Sequence, residues 1–166
     1  ARVNSQAAGV LFTANPLTGL RSESVIDATL GLGEALVSGQ VEPDHYVVEP
    51  AAGRILSKSL GAKALSIHSV PAGGTHVLQH PRQDVQALPD EQVLSLARLG
   101  QKAAGMFGSP QDIEWAWAGG ELYLLQSRPV TALYPLPENI PAEPLKVFSS
   151  VAAVQGLLDP MTPLGR

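Results

Sequence analysis

The sequence predicts an α+β fold, in which a mostly antiparallel sheet is joined by one long helix and followed by an extended carboxy-terminal tail. Short apolar segments separated by turn-forming residues recur between Ala7 and Gln79, as expected for antiparallel strands. One longer segment, Asp90–Phe107, has apolar residues at helical spacing. After Leu133, prolines at positions 135, 137, 141 and 144 interrupt the chain, which is typical of a linker.

The first two predicted strands can pair as a hairpin. Ala7–Ala14 and Glu23–Leu30 are apolar or alternating, and the sequence NPLTG at 15–19 between them is a turn signal. The sequence GLG at 31–33 ends the second strand, and a short helix is predicted over Glu34–Ser38. The remaining predicted strands are 45–49, 54–59, 63–69 and 75–79.

The long helix has signals at both ends. Asp90 follows Pro89 and is predicted to cap the amino terminus of the helix, and Gly108 is predicted to end it. The apolar residues between them recur at helical spacing. They are Val93, Leu96, Ala97, Gly100, Ala103, Ala104 and Phe107.

Composition excludes several classes of function. The chain has 166 residues, of which 45% are hydrophobic and 16% charged, and this is enough for a buried core. The net charge of −4, with no run of Lys and Arg, argues against a general nucleic-acid-binding protein. With no cysteine, the chain has no disulfide, thiol nucleophile or cysteine–zinc site. The absence of cysteine fits a reducing cytoplasm, where we expect the protein to be located. No apolar run reaches membrane-spanning length and no signal peptide is visible, so we expect no membrane partner.

The segment 111–131, QDIEWAWAGGELYLLQSRPVT, predicts a hairpin with an unusual polar face. Strict alternation places Asp112 and Glu114 on one face of the first strand, with the tryptophans on the other. On the second strand, the same alternation predicts that two leucines and two polar residues share a face. These are Leu122, Leu124, Gln126 and Arg128.

The predicted register gathers the polar residues into a cluster. If residues 119–121 form a three-residue loop, Glu114 lies opposite Gln126 and Asp112 lies opposite Arg128. Carboxylate and amide oxygens are hard ligands that suit Mg²⁺, and a neighbouring arginine suits a phosphate. The pattern alone leaves two interpretations open, a nucleotide–metal site or the solvated face of an antiparallel sheet with a cross-strand ion pair.

Four further features have a structural interpretation beside a functional one. The sequence GLGE at 31–34 is either a phosphate-binding turn or a tight turn that needs glycine. Arg21 lies either near a phosphate or at the surface. The sequence GGTH at 73–76 resembles the lead-in to a phosphorylated histidine, but no helix pattern follows, so a surface histidine in a loop is the better interpretation. Trp115 and Trp117 are interpreted as packing residues.

Five segments together resemble one known family. They are GVLFTANPLTG, VIDATLGLGEALVSG, PDHYVV, PQDIEWAW and LYLLQSRPVT. Their order and spacing are similar to the ATP-grasp nucleotide-binding domain of the dikinase group, which includes phosphoenolpyruvate synthase, pyruvate phosphate dikinase and rifampin phosphotransferase. The resemblance covers most of Ala7–Leu133 and implies the carboxy-terminal part of that domain. The tail FSSVAAVQGLLDPMTPLG resembles the segment that leads into the antibiotic-binding domain of the rifampin phosphotransferases.

The resemblance implies roles for three residues of the hairpin. Glu114 and Gln126 stand at the positions that hold Mg²⁺ against the phosphates of ATP. Arg128 stands at the position that contacts the transferring phosphates and stabilises the charge that develops on them. ATP and Mg²⁺ are the cofactors that the resemblance implies, and it selects the same cluster as the predicted register.

The resemblance also implies an organisation of the chain. We expect residues 1–133 to be the carboxy-terminal portion of the ATP-grasp domain, 134–146 a proline-rich linker, and 147–166 the start of an acceptor-binding domain. The family's ATP site also uses an amino-terminal lobe, with a phosphate-binding lysine and arginine, and a hinge that reads adenine. That lobe and a domain with a phosphorylated histidine are the expected partners, so we expect these 166 residues alone to be inactive.

The implied reaction converts ATP, an acceptor and water into AMP, phosphate and a phosphorylated acceptor through a phosphohistidine. The tail favours a rifamycin-type antibiotic as the acceptor. Two alternatives stay open: pyruvate as the acceptor, as in phosphoenolpyruvate synthase, or a truncated nucleotide-binding or regulatory module without turnover.

Overall fold

The computed structural model describes residues 5–32, 42–62 and 85–133, together with the backbone of 65–69 and 75–79. All of these residues belong to the first of two compact units, Ala1–Tyr134. The predicted helix at Glu34–Ser38, the linker and the tail lie outside the described residues. The domain boundaries at 133/134 and 146/147 remain predictions.

The described residues form a mostly antiparallel sheet with one long helix, which confirms the predicted fold class. In chain order, the elements are β1 (Ala7–Phe12), β2 (Ser24–Leu30), β3 (Asp44–Glu49), β4 (Arg54–Ser59), β5 (Leu65–Ser69), β6 (Thr75–Gln79), α1 (Asp90–Phe107), β7 (Gln111–Ala118) and β8 (Glu121–Pro129). Within these ranges, no helix is both long enough and apolar enough to cross a membrane.

Strand β1 is at the centre of the main sheet. The sheet has the order β4-β3-β2-β1-β7-β8, and every neighbouring pair is antiparallel. Strands β5 and β6 form a separate two-stranded sheet. Because β1 pairs with β2 on one side and β7 on the other, it joins the first hairpin of the chain to the last one.

Helix α1 covers one face of the main sheet and forms the core with it. Gly100 lets the helix approach β1 closely, because a methyl group added there would lie 2.4 Å from Leu11 Cδ2. In this register, residues 112 and 114 of β7 point to the opposite face. The core residues of the sheet are Ala7, Leu11, Ile26, Ala28, Tyr46, Val48, Ile113 and Trp115, and those of the helix are Val93, Leu96 and Ala97.

The two ends of α1 differ in how well the sequence predicted them. Gly108 ends the helix in the left-handed conformation, with φ of 69°, as predicted. The prediction that Asp90 caps the helix is wrong, because Pro89 is the N-cap residue and no side chain caps the helix. The Asp90 carboxylate instead accepts hydrogen bonds from Lys58 Nζ at 2.8 and 3.0 Å and from Gln86 Nε2 at 2.6 Å. The Lys58 hydrogen bond, followed by that of Gln86, holds the pKa of Asp90 below its usual value.

Asp44, which is fully buried in β3, joins two distant parts of the chain. Its Oδ1 accepts a hydrogen bond from the Gly61 amide at 3.0 Å, and its Oδ2 accepts one from the Ala87 amide at 2.7 Å. Tyr46 Oη also donates to Asp44 Oδ2, at 3.4 Å. Burial, and then the Asp44 charge, raise the pKa of Tyr46 well above its usual value. The carboxylate therefore holds both ends of the segment that contains β5 and β6.

Candidate functional site

The polar residues of the last hairpin meet on the sheet face opposite α1. Across the β7–β8 pair, Glu114 lies opposite Gln126 and Asp112 lies opposite Arg128, which confirms the predicted register. Arg128 Nε donates a hydrogen bond to Asp112 Oδ2 at 2.8 Å. Two carboxylates, an amide and a guanidinium therefore occupy two adjacent rows of the same hairpin face.

The turn of this hairpin differs from the prediction. Ala118 pairs with Glu121, so Gly119 and Gly120 alone form the turn, with φ of 60° and 84°. Two consecutive glycines with positive φ allow the tight two-residue turn whose twist matches the strands. The predicted three-residue loop is therefore wrong. The extra residue is Leu125, which forms a bulge where the register shifts.

The bulge also corrects the predicted face of the leucines. Strict alternation places Leu122 and Leu124 on the face of Gln126 and Arg128, but the extra residue reverses the alternation. Leu122 pairs with Trp117 and Leu124 with Trp115, and both leucines pack against the hydrophobic core. The base of the hairpin thus exposes its polar side chains on one face, while its tip buries apolar side chains on the other.

Glu114 and Gln126 are exposed and carry oxygen atoms of the kind that Mg²⁺ prefers. In the described ranges, no three His, Asp or Glu side chains lie close enough together to hold a metal ion by themselves. Mg²⁺ in nucleotide sites is often held by one or two protein groups together with phosphate oxygens and water. One carboxylate and one amide oxygen, paired across two strands, fit that mode of binding.

Asp112 and Arg128 also line a cavity of 280 Å³ at the end of the sheet. Its other walls include Phe12, Pro16 and Val130, which are largely apolar. A cavity that combines an Arg–Asp ion pair with apolar walls suits a ligand with a polar part and an apolar part. At 280 Å³, it is slightly smaller than typical small-molecule sites, which begin at about 300 Å³.

Asp27 and His45 lie on the same face, although the sequence patterns did not single them out. Val10 of β1 pairs with Glu114 on one side and with Asp27 on the other, and Asp27 pairs with His45. His45 Nδ1 and Asp27 Oδ1 are 2.7 Å apart. The alternation of VIDATL carried the signal, because Asp27 falls between two core residues and therefore points to the opposite face.

The other predicted features lie in different places. Trp115 is buried in the core and Trp117 packs against it, which confirms that they are packing residues. His76 is in strand β6, so the expectation of a loop there is wrong. Arg21 lines a separate cavity beside α1. Gly31 has a positive φ of 77°, as a tight turn requires, and residues 33 and 34 of the GLGE sequence lie outside the described residues.

Comparison with known proteins identifies the family. The family profile "Pyruvate phosphate dikinase, AMP/ATP-binding domain" matches residues 1–145 of the chain. The chain belongs to this family. The resemblance drawn from the five sequence segments is therefore confirmed, and the polar hairpin is part of an AMP/ATP-binding domain.

The chain is also similar to relatives of two named activities. The chain is 46% identical to the rifampicin phosphotransferase of Bacillus subtilis over 162 residues, covering 96% of this chain and 18% of that protein. It is 43% identical to the rifampicin phosphotransferase of Streptomyces sviceus, with the same two coverages. The phosphoenolpyruvate synthase of Pyrococcus furiosus is 43% identical over 141 residues, covering 79% of this chain and 17% of that protein. The chain thus spans about a fifth of the length of the relatives it matches.

Proposed function

We propose that this chain is the ATP-binding part of a dikinase-type phosphotransferase, and that Glu114, Gln126 and Arg128 bind the metal and the phosphates. The observation that carries this proposal is the register of the last hairpin, which places Glu114 opposite Gln126 and Asp112 opposite Arg128. These residues share the face that α1 leaves uncovered. Because the chain belongs to a family of AMP/ATP-binding domains, a nucleotide–metal site is favoured over a solvated sheet face.

Glu114 and Gln126 are the proposed ligands of Mg²⁺. Their two oxygen types match the ligand preference of this ion, and their side chains are exposed toward the same side. When bound, the ion supplies positive charge that neutralises phosphate oxygens. Glu114 would supply a negatively charged carboxylate oxygen to the ion, and Gln126 would supply a neutral amide oxygen next to it.

Arg128 is the proposed phosphate ligand. Its Nε is engaged with Asp112 Oδ2, so the two terminal nitrogens of the guanidinium are left as donors for phosphate oxygens. A planar guanidinium held at one edge presents these donors in a fixed orientation. Such a group stabilises negative charge that develops on a phosphoryl group during transfer.

The proposed overall reaction converts ATP, an acceptor and water into AMP, phosphate and a phosphorylated acceptor, through a phosphohistidine in another domain. A rifamycin-type antibiotic is the favoured acceptor, because the matches to rifampicin phosphotransferases extend over 96% of the chain, whereas those to phosphoenolpyruvate synthases cover 79%. Pyruvate is the second candidate, supported by the identity of 43% to phosphoenolpyruvate synthase. The remaining domains are the proposed partners, and we expect no turnover by this chain alone.

The test uses the full-length protein that contains this chain, incubated with Mg·ATP and either a rifamycin or pyruvate. Chromatography of the nucleotides should show AMP only with the rifamycin. AMP that forms only with pyruvate would support the dikinase reaction with pyruvate, and not a rifamycin, as the acceptor. ADP as the product would overturn the dikinase assignment, and Mg·ATP binding without any turnover would favour a regulatory module.

A further inference from the structure

A cavity of 390 Å³ lies between α1 and the turns that follow β1 and β3. It shares no lining residue with the cavity beside Asp112 and Arg128. The side chains that matter for its chemistry are three cations, one amide and two small apolar residues. They are Arg21, Arg98, Lys102, Gln101, Pro50 and Ala51.

The two cations that α1 contributes to this cavity, Arg98 and Lys102, lie on the same side of the helix. Arg98 and Lys102 are four residues apart on α1, so like charges face each other on adjacent helical turns. In the part of the chain that the structure describes, neither of them forms an ion pair. The acids next to the cavity in sequence have other partners, since Glu49 accepts a hydrogen bond from Arg54 and Glu23 accepts one from Asn15. An anion in the cavity would relieve this repulsion.

The wall between the cations is anchored to the sheet. Gln101 Nε2 donates to the Thr13 carbonyl oxygen at 2.8 Å and to Ser24 Oγ at 3.1 Å. These hydrogen bonds hold the middle of α1 over the ends of β1 and β2, so they fix the helix against the turn after β1. A wall that is already fixed lowers the cost of binding a ligand.

Size and lining favour an organic anion over a bare inorganic one. A volume of 390 Å³ falls within the range of small-molecule sites and is much larger than a phosphate group. Pro50 and Ala51 provide an apolar wall on the side opposite the helix cations. A ligand with a phosphate at one end and a small apolar body at the other matches both parts of the lining.

We propose that this cavity binds a phosphomonoester of a small organic molecule. Guanidinium and ammonium groups are the side chains that proteins use to bind phosphate, and Arg98 and Lys102 supply one of each. Arg21 lines the same cavity from the turn after β1. This proposal is independent of the nucleotide–metal site, because the two cavities have no residue in common.

Titration of the ¹⁵N-labelled protein with phenyl phosphate, followed by NMR, tests the proposal. Saturable shifts are expected at the amides of Ser22, Ala51 and Gln101, and inorganic phosphate should bind more weakly. The double substitution Arg98→Gln/Lys102→Gln should weaken binding of phenyl phosphate by about tenfold or more, because it removes both helix charges. Lys58→Gln, which removes a cation that pairs with Asp90 outside the cavity, should leave binding unchanged.

Several outcomes would overturn the proposal. Shifts that do not saturate, or that sodium chloride reproduces at equal ionic strength, would mean ionic screening only. Equal affinities for phenyl phosphate and inorganic phosphate would show that the organic group contributes nothing to binding, which contradicts a site for phosphomonoesters. Unchanged affinity in the double variant, with a well-dispersed spectrum that shows it is folded, would place the anion elsewhere.

Discussion

Arg128 is held by Asp112 through a hydrogen bond of 2.8 Å from Nε to Oδ2, although 66% of the Arg128 side chain is exposed. An ion pair with this exposure contributes little to stability, on the order of 0–1 kcal/mol. The pair therefore serves orientation more than stability. It fixes the guanidinium beside Glu114 and Gln126, in the row next to theirs.

Asp112→Ala should weaken the binding of Mg·ATP to the full-length protein by about threefold to tenfold, because the Arg128 guanidinium loses its fixed orientation. Isothermal titration calorimetry measures this affinity. The free energy of unfolding should change by less than about 1 kcal/mol. The control is Glu49→Ala, which breaks the comparable Arg54–Glu49 pair of 2.6 Å away from the site. Equal affinities of Asp112→Ala and Glu49→Ala would contradict the positioning role.

Glu114→Gln keeps the size of the side chain and removes its negative charge. If Glu114 is a metal ligand, the Mg²⁺ concentration needed for half-maximal nucleotide binding should rise by about tenfold or more. A magnesium titration at fixed ATP measures this. Glu121→Gln is the matched control, because Glu121 is an exposed carboxylate at the tip of the same hairpin. A variant with the magnesium dependence of the unmodified protein would exclude Glu114 as a ligand.

Two glycines of α1 should respond oppositely to the same substitution. Gly100→Ala should destabilise the fold by about 1–3 kcal/mol, because its methyl group would lie 2.4 Å from Leu11 Cδ2 in a close-packed core. Gly105→Ala should stabilise it by about 0.5–1 kcal/mol, because nothing lies within 4 Å and alanine favours helix. Urea unfolding measures both. The same sign for both substitutions would contradict this packing of α1 against β1.

The Lys58–Asp90 pair should make stability depend on acid pH. Lys58 lowers the pKa of Asp90 in the folded state, so the contribution is present above the unfolded pKa of about 3.9 and is lost as the pH falls below it. At pH 7, Asp90→Asn should lower the free energy of unfolding by less than about 1 kcal/mol, because the pair is partly exposed. The difference between the variant and the unmodified protein should shrink as the pH falls through the lowered folded pKa of Asp90. Glu91→Gln, which leaves the pair intact, is the control, and a difference that does not shrink on acidification would refute the electrostatic origin.

Local sequence patterns predicted most of the sheet, the long helix and the row that joins Glu114 to Gln126. The predicted register was correct although the predicted loop was wrong. The turn is one residue shorter than predicted, and the bulge at Leu125 adds one residue to the strand, so the two differences cancel at Gln126. A bulge has no distinct signal in an alternating pattern, and it decides which face the neighbouring leucines occupy.

Features that depend on long-range pairing were not predicted. The partner of Asp90 is Lys58 on β4, and no local pattern indicates that a carboxylate will bind a distant cation instead of its own helix. The Asp27–His45 pair similarly requires knowing that β2 and β3 are neighbours in this register. The sequence alone therefore indicated the hairpin cluster and omitted the part of the face that other strands contribute.

The buried Asp44 has a consequence for engineering this domain. One carboxylate binds the amides of both Gly61 and Ala87, so the chain leaves the main sheet and returns to it at nearly the same point. Because the entropy cost of closing a loop grows slowly with its length, we expect the intervening segment to accept an insertion away from β5, which contacts β2 of the main sheet. This makes the segment a suitable graft point, where a reporter domain with adjacent termini can be fused while the candidate site on the last hairpin is preserved.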